Sequence, residues 1–286
     1  MDQDTLLDTR IASLFPDMSR SQKELARFIL DNGLFVAYAS AAELGGKVGV
    51  SAATVVRFCQ ILGYEGYPEL QNAVRASLPT YVNKVQQIEQ GRGIPDKQHL
   101  AERVFGLDIQ NLTRTRESLD QERFWAAVAA LGKASDILVV GGGTSAGTAL
   151  YLAHSLKVMG LEARAVLDGG IPLALELVRL KPTSVFIGIS VWRYVAETIH
   201  AMEQAASRGA TRIAITDSIV SPLAQRADYA FQVATDGAAH ALSLTGAVAL
   251  INAFIAALSF ERPAQTTRAL QEVDAAYRTG KLLATE

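Results

Sequence analysis

The chain has 286 residues, of which 49% are hydrophobic and 20% are charged, with 27 Lys and Arg against 29 Asp and Glu. These figures exclude a disordered chain and predict about two domains, while a single cysteine excludes a disulfide framework and a cysteine-based zinc site. The formal net charge of −2 excludes a protein that holds a polyanion through diffuse positive charge alone.

The N-terminal end carries acidic side chains at Asp2, Asp4 and Asp8, where a signal peptide needs basic ones. We therefore expect a cytoplasmic protein, and the lone Cys59 agrees with a reducing compartment. The four histidines are too scattered to form a metal motif, so no metal site is predicted.

Apolar residues at helical spacing run from residue 19 to about residue 78, without the alternation that is typical of strands. An all-α domain is therefore predicted for residues 1–78. The chain then becomes polar and Gln-rich before helical spacing returns near Leu100. This change predicts a linker and connecting helix over residues 79–120.

The stretch from Ser40 to Tyr64 predicts two short helices joined by a tight turn. Ser40 and Glu43 form a capping box, which begins the first helix, and Gly49 ends it. Ser51 caps the second helix, which Gly63 ends. The apolar residues of this second helix share one face: Val55, Phe58, Cys59 and Leu62.

This arrangement resembles a helix-turn-helix. Gly45 stands where the motif needs a small residue at the helix contact, Gly49 lies at the turn, and Val55 is the buried aliphatic residue. Any pair of capped helices separated by glycine gives a similar pattern, so the spacing alone leaves both interpretations open.

As a helix-turn-helix, the second helix enters the major groove of DNA. Arg57 is the strongest candidate because its guanidinium group matches guanine edges and phosphate oxygens, although a solvated surface charge is the alternative. Most acidic residues of this domain precede the motif, which leaves room for a locally positive face. The residues predicted to contact DNA are Ser51, Ala52, Thr54, Arg57, Gln60 and Lys47.

From residue 121 onward, apolar runs alternate with helical segments. This pattern predicts an α/β domain over residues 121–286, a doubly wound parallel sheet with helices on both faces. The predicted strands are DILVVGG, EARAVLD, SVFIGIS, RIAITDS and YAFQVA.

A Gly-rich turn, GGGTSAGTA, follows the first predicted strand and has three interpretations. The spacing Gly141-x-Gly143-x-x-Ala146, with Asp168 closing the next strand, matches a loose dinucleotide fingerprint. The spacing Gly141-x-Gly143-x-Ser145 suits a sugar-phosphate loop, in which Thr144 and Ser145 add hydroxyl donors. The third interpretation is a tight turn without a ligand.

Two later strands also end in polar residues, at the sheet edge where open α/β sheets bind ligands. One is followed by Trp192, Arg193 and Tyr194, and another by Asp217 and Ser218. Arg193 either clamps an anion beside a stacking aromatic ring or is solvated while the aromatic residues are buried at a subunit contact. No catalytic motif appears, so no catalytic residue and no cofactor are predicted.

The uncharged stretch from Ala241 to Phe260 approaches the length of a membrane span. Ser243, Thr245 and Asn252 interrupt it, and Ala is only weakly apolar. We therefore expect a helix buried at a sheet face or subunit interface, and no membrane partner.

Taken together, the motifs resemble the RpiR family of bacterial transcription regulators, which join a helix-turn-helix to a sugar isomerase (SIS) domain. The resemblance spans nearly the whole chain. It rests on SxxEL at residues 40–44, VSAATVVRFCQILGYEGYPEL at 50–70, GxGxS at 141–145, GIS at 188–190 and ITDSxxSPLAxxAD at 215–228.

The resemblance implies a flavodoxin-like SIS sandwich, DNA binding by the first domain, and dimers or tetramers formed through the second. It also implies a phosphorylated sugar or related metabolite as effector, and control of carbohydrate catabolism, more often by repression. The residues expected to bind the effector are Gly143, Thr144, Ser145, Ser190, Arg193, Asp217 and Ser218.

One departure from the SIS pattern concerns the residues after Ser190. The pattern continues there with x-S-G-x-T, whereas this chain has Val191-Trp192-Arg193-Tyr194-Val195 and lacks those hydroxyl and Gly positions. We hypothesise that Arg193 supplies the missing attraction for an anion, the alternative being a different effector.

The sequence therefore predicts an effector-responsive DNA-binding regulator rather than an enzyme. One rival is an enzyme that uses the Gly141–Ser145 loop, either a sugar-phosphate isomerase or a nicotinamide-dependent enzyme. It leaves the Ser40–Tyr64 pattern unexplained. A second rival is a metabolite sensor whose helical domain binds protein.

Overall fold

The computed structural model describes residues 4–78, 98–238 and 241–284. The chain divides into two compact units, Met1–Arg92 and Gly93–Glu286. The domain boundaries expected from the sequence, at residues 78 and 120, stay a prediction.

The described elements of the first unit are all helical, as the apolar spacing predicts. A short 3-10 turn, Phe15–Asp17, follows the first helix. The α-helices are α1 (Asp4–Leu14), α2 (Arg20–Asp31), α3 (Gly33–Tyr38), α4 (Ala41–Val48), α5 (Ala52–Ile61) and α6 (Tyr67–Ser77).

Side chains of α6 hold the C-terminal end of α3 in place. The Tyr67 hydroxyl donates to the carbonyl oxygens of Val36 and Ala39, at 3.2 and 2.9 Å. The side-chain amide of Gln71 donates to the same two carbonyls, and Arg75 Nε donates to the Ala37 carbonyl at 2.7 Å. These bonds satisfy carbonyl groups that the end of a helix leaves without partners, and they join α3 to α6.

The second unit begins with two helices, after which strands and helices alternate. Its elements are α7 (Leu100–Glu117), α8 (Gln121–Lys133), β1 (Ile137–Val140), α9 (Ala146–Val158), β2 (Ala163–Val166), α10 (Gly170–Leu177), β3 (Val185–Ile189), α11 (Ala196–Ser207), β4 (Thr211–Thr216), β5 (Tyr229–Gln232), α12 (Thr245–Glu261) and α13 (Pro263–Gly280).

The five strands form one parallel sheet in the order β2-β1-β3-β4-β5. Residues of α8, α9 and α12 pack on one face of the sheet, and residues of α10 and α11 pack on the other. The prediction of a doubly wound α/β domain is therefore confirmed. Because the strands are parallel, the loops that follow β1, β3 and β4 lie along one edge of the sheet.

The uncharged stretch near the C-terminus forms α12, which covers the sheet. Phe254 stacks on Phe124 of α8 at 5.0 Å between ring centroids and meets Phe231 of β5 edge-on at 5.2 Å. Within the described residues, no single helix is long and apolar enough to cross a membrane; α12 and α13 meet those limits only as a pair bent by 108°.

Helix α7 is attached to the rest of its unit through buried polar groups. Asn111 exchanges two hydrogen bonds with the backbone of Asp236, at 2.8 and 3.1 Å, and the Thr115 hydroxyl accepts from the Ala234 N–H at 3.0 Å. Asn111 is fully buried. The connection between α7 and the segment after β5 therefore depends on a few specific hydrogen bonds.

Candidate functional site

The turn between α4 and α5 requires glycine at two positions. A Cβ atom at Gly45 would lie 2.5 Å from the carbonyl oxygen of Val50, so the helices approach too closely for any side chain. Gly49 has a φ angle of +75°, the left-handed conformation that glycine adopts without strain. The Val50 N–H donates to the Gly45 carbonyl at 2.8 Å and closes the turn.

Both helices begin with the caps that the sequence predicts. Ser40 and Glu43 form a complete capping box, and the Ser51 side chain accepts from the Thr54 N–H. Because caps satisfy N–H groups that the first turn leaves without partners, they set where each helix begins.

Helix α5 has one buried face and one exposed face. Val55, Phe58 and Cys59 are buried in the core of the first unit. Of the residues predicted to contact DNA, Ser51, Arg57, Gln60 and Lys47 are exposed, and Ala52 and Thr54 are half-buried.

Three polar side chains form a hydrogen-bonded row along α5. The hydroxyl groups of Ser51 and Thr54 lie 2.9 Å apart, and the Arg57 guanidinium donates to the Thr54 hydroxyl at 3.1 Å. A long, flexible arginine side chain is thereby held along the helix surface, which lowers the entropy lost when it binds a partner.

Ala53, which the sequence analysis did not name, is exposed, whereas the predicted Ala52 is half-buried. Ala53 lies one turn before Arg57, on the side of α5 opposite the core. The helical spacing of Val55, Phe58 and Leu62 is the signal that identifies it, because position 53 falls opposite their face.

The single cysteine of the sequence lies in the core of the first unit, on the buried face of α5. Cys59 is fully buried, and burial raises the pKa of its thiol to about 11. The thiolate is the reactive form of cysteine, so this side chain is an inert part of the core near neutral pH.

The residues 141–145, named here the glycine loop, leave β1 and lead into α9. A Cβ atom at Gly141 would lie 3.0 Å from both the Ala149 side chain and the Ser145 carbonyl, and Gly143 has a φ angle of +56°. Glycine is therefore needed at both positions. Gly143 and Thr144 are exposed, whereas Ser145 is buried and its carbonyl accepts from the Thr148 hydroxyl.

The residues 191–195, named here the aromatic loop, follow β3, which is the strand next to β1 in the sheet. Asp217 reaches this loop from the end of β4: one carboxylate oxygen accepts from the Trp192 N–H at 2.7 Å, and the other accepts from the Tyr194 hydroxyl at 2.8 Å. The Val195 N–H donates to the Ser190 hydroxyl at 3.2 Å. Ser190 and Asp217 thus both bind the aromatic loop.

The two aromatic residues and Arg193 differ in exposure. Trp192 is buried, with a φ angle of +61°, and Arg193 is exposed with its guanidinium carbon 5.5 Å from the Trp192 ring centroid. Burial of the Trp192 ring within its own chain favours a structural role for this side chain over stacking on a ligand.

The buried surroundings of Asp217 disfavour the ionised form of its carboxyl group. Burial raises the pKa of this carboxyl group, although the bonds from Tyr194 and Trp192 act in the opposite direction. Ser218, the neighbouring candidate, is buried, and its hydroxyl accepts from the Val220 N–H at 3.4 Å within its own turn.

A small cleft opens between the two loops and the end of β2. Gly142 of the glycine loop and Val195 of the aromatic loop both line it, together with the acidic residues Asp168 and Glu197. Glu197 accepts from the Gly170 N–H at 3.1 Å, at the start of α10. Among the described residues, no group of three or more His, Cys, Asp or Glu side chains is arranged to hold a metal ion.

The chain matches two family models. Residues 5–80 match the helix-turn-helix domain of the rpiR family, and residues 130–260 match the SIS domain. Among curated proteins, the chain is 30% identical over 222 residues to an HTH-type transcriptional regulator of Haemophilus influenzae, covering 77% of both chains.

Two solved structures are similar to the chain. The sugar isomerase domain of an RpiR transcription factor from Sphaerobacter thermophilus is 40% identical, with a TM-score of 0.61, over 62% of this chain and 99% of that one. The Vibrio vulnificus NanR protein, solved in complex with ManNAc-6P, is 23% identical, with a TM-score of 0.66, over 98% of this chain and all of that one. At that identity the second likeness shows the fold alone.

Proposed function

Because this chain belongs to the RpiR family of HTH-type transcriptional regulators, we propose that it is a repressor of carbohydrate catabolism genes. Its activity is controlled by a phosphorylated sugar or sugar acid bound to the SIS unit. The observation that carries the proposal is that one chain combines two features. Its first unit has a helix, α5, with an exposed polar face, and its second unit is an α/β unit with glycine-rich and polar loops at one edge of the sheet. The enzyme rival does not account for the first of these features.

In the proposed DNA complex, α5 lies in the major groove. Its N-terminal residues Ser51, Ala52 and Thr54 approach the bases and the backbone, and Arg57 and Gln60 follow one and two turns later. Lys47 of α4 contacts a phosphate. The hydrogen-bonded row that ends at Arg57 supports this assignment because it orders the side chain best suited to guanine.

In the SIS unit, the proposed effector site lies at the edge where the glycine loop, the aromatic loop and the end of β4 meet. It comprises Gly143, Thr144, Ser145, Ser190, Arg193, Asp217 and Ser218. Exposed Thr144 and Arg193 supply direct donors, while Ser190 and Asp217 act through the aromatic loop that they bind.

We further propose a cytoplasmic dimer or tetramer assembled through the SIS unit, without enzymatic activity. Two identical recognition helices then meet two half-sites of a palindromic operator, and the effector changes their spacing or orientation. The all-helical head, the linker and the effector unit correspond to residues 1–78, 79–120 and 121–286.

Selection of bound fragments from genomic DNA, repeated at two salt concentrations, tests the proposal. We expect enrichment of a palindromic sequence and weaker binding at higher salt, because the protein displaces counterions from phosphates. Enrichment of no palindrome, with binding that does not depend on salt, would contradict a DNA-binding function. A turnover assay on phosphosugars tests the enzyme rival separately.

A further inference from the structure

Helix α10 is apolar on two opposite faces. Leu173 and Leu177 of its inner face are buried against the sheet. Ile171 and Leu175 lie on its outer face and are 76% and 60% exposed, and Val178, which directly follows the helix, is 56% exposed. These three exposed residues, named here the outer stripe, repeat at intervals of four and three and so form one row. Because a surface helix is normally apolar on its buried side alone, the outer stripe has the character of a surface that an assembly buries.

Polar contacts at both ends of α10 give the outer stripe a fixed position. The N–H of the first helical residue donates to Glu197 at 3.1 Å. Arg208 donates to the Val178 carbonyl, just past the end of the helix, at 3.2 Å. The one charged residue of the helix, Glu176, pairs with Arg164. A row of apolar side chains on a helix held in this way loses little conformational entropy when a partner covers it.

Opposite charges stand at the two ends of the outer stripe. Asp168 lies three residues before Ile171, and Lys181 lies three residues after Val178. Both charged residues are exposed, and neither takes part in an ion pair among the residues that the structure describes. Leu175 lies near the midpoint between them. The stripe is therefore an apolar row with an acid at one end and a base at the other.

A row with this order of charges is complementary to itself in the antiparallel direction. When a two-fold axis passes beside Leu175, the stripes of two copies run in opposite directions, and each acidic end meets the basic end of the other copy. Two pairs of opposite charge then flank one apolar contact, whereas a parallel arrangement would bring like charges together. A second copy of the chain thus matches the stripe both in apolar surface and in charge.

We propose that the outer stripe of α10 joins two copies of this chain across a two-fold axis, with Asp168 of each copy paired with Lys181 of the partner subunit. The inference rests on the proposed function in one respect, that the SIS unit assembles the oligomer, and it names the surface that does so. Asp168 and Gly169 also line the cleft at the start of α10. The contact between copies therefore adjoins the candidate effector site.

Sedimentation equilibrium of the full-length protein tests the apolar part of the contact. Leu175→Glu places a carboxylate of each copy against apolar side chains, so we expect the dissociation constant for self-association to rise about thirtyfold or more. Leu150→Glu is the matched control, because Leu150 is 54% exposed on α9, which packs on the other face of the sheet. It should leave the constant unchanged. Circular dichroism checks that both variants keep the fold.

Charge reversal tests the two-fold pairing. Lys181→Glu should raise the dissociation constant about fivefold, because it sets like charges against each other at both ends of the contact. Adding Asp168→Lys restores opposite charges, so this double variant should return to within about twofold of the wild-type value. Lys181→Glu combined with Asp274→Lys has the same net charge, but Asp274 lies on the exposed surface of α13. That control should bind as weakly as Lys181→Glu alone.

The outcomes separate this contact from the proposed function. A wild-type oligomer that Leu175→Glu leaves intact would overturn the α10 contact and keep an oligomer formed through another surface of the SIS unit. No recovery with Asp168→Lys, or equal recovery with Asp274→Lys, would overturn the two-fold pairing. A wild-type protein that sediments as a monomer would contradict both the contact and the proposed oligomer, while the selection of genomic fragments judges DNA binding independently.

Discussion

Arg57 is the residue on which the DNA-binding proposal depends most directly. Its guanidinium is held by Thr54 on the exposed face of α5, which favours bidentate contact with a guanine edge. We expect Arg57→Ala to weaken binding to the selected operator by about 1–3 kcal/mol and to relax the sequence preference at one base pair. Fluorescence anisotropy with operator and scrambled DNA measures both effects.

The control for this substitution is Arg20→Ala, which removes the same charge from the exposed start of α2. It should change operator affinity little and leave the sequence preference intact. Equal losses for the two variants would show that Arg57 contributes only general electrostatic attraction.

Adjacent glycines in α4 should respond in opposite ways to the same substitution. A Cβ atom at Gly45 meets the Val50 carbonyl at 2.5 Å, whereas a Cβ atom at Gly46 would meet no described atom within 4 Å beyond its two chain neighbours and the nearby backbone of its own helix. Gly45→Ala should lower the free energy of unfolding by about 1–3 kcal/mol through overpacking. Gly46→Ala should raise it by about 0.4–1 kcal/mol, because alanine restricts the unfolded chain.

Urea unfolding followed by circular dichroism compares the two variants in the full chain. If Gly45→Ala is tolerated as well as Gly46→Ala, the close contact between α4 and the start of α5 does not exist in solution.

At the scale of elements, hydrogen bonds of Asn111 and Thr115 join α7 to the segment after β5. Removing the buried Asn111 side chain breaks its two hydrogen bonds with the backbone of Asp236. We expect Asn111→Ala to lower the free energy of unfolding by about 1–3 kcal/mol, the loss of two hydrogen bonds at about 0.5–1.5 kcal/mol each. Gln110→Ala, on the exposed side of the same helix, should change it by less than about 0.5 kcal/mol.

Hydrogen exchange locates the effect of Asn111→Ala. Faster exchange of the Asp236 amide and of α7, with the sheet strands still protected, is the expected pattern. Uniformly faster exchange across the sheet would instead mean that α7 and the sheet unfold together.

For the whole molecule, the net charge of −2 implies weak non-specific attraction to DNA. Operator affinity should then depend on two half-sites bound by one oligomer. We expect that inserting about half a helical turn, roughly 5 base pairs, between the half-sites abolishes tight binding, whereas a full turn of 10–10.5 restores part of it. Electrophoretic mobility shifts at fixed salt measure this, and tight binding to an isolated half-site would contradict it.

Local features could be predicted from the sequence because they involve residues that lie close together along the chain. The Ser40–Glu43 and Ser51–Thr54 caps span three residues each, and the buried face of α5 follows helical spacing. The alternation of apolar runs with helices predicted the parallel sheet for the same reason. The exposure of Ala53 follows from the same spacing, since the face opposite Val55 and Phe58 includes it.

The effector site was only partly readable. The glycine loop is a local pattern, yet the bond between Trp192 and Asp217 joins residues 25 apart, and nothing in either segment indicates it. The sequence analysis placed Asp217 and Arg193 together as effector ligands; that assignment stays a prediction. The geometry adds that the carboxylate already has two partners within the aromatic loop.

The sequence by itself determined the fold class and the positions of the helix caps and turns, because caps, glycine positions and apolar periodicity act over a few residues, and its motifs carried the resemblance to the RpiR family. Only the tertiary structure decided which donors at the sheet edge are already bonded, and that acidic side chains line the cleft between the loops. The physical reason is that these properties depend on strand order and packing, which bring distant residues together.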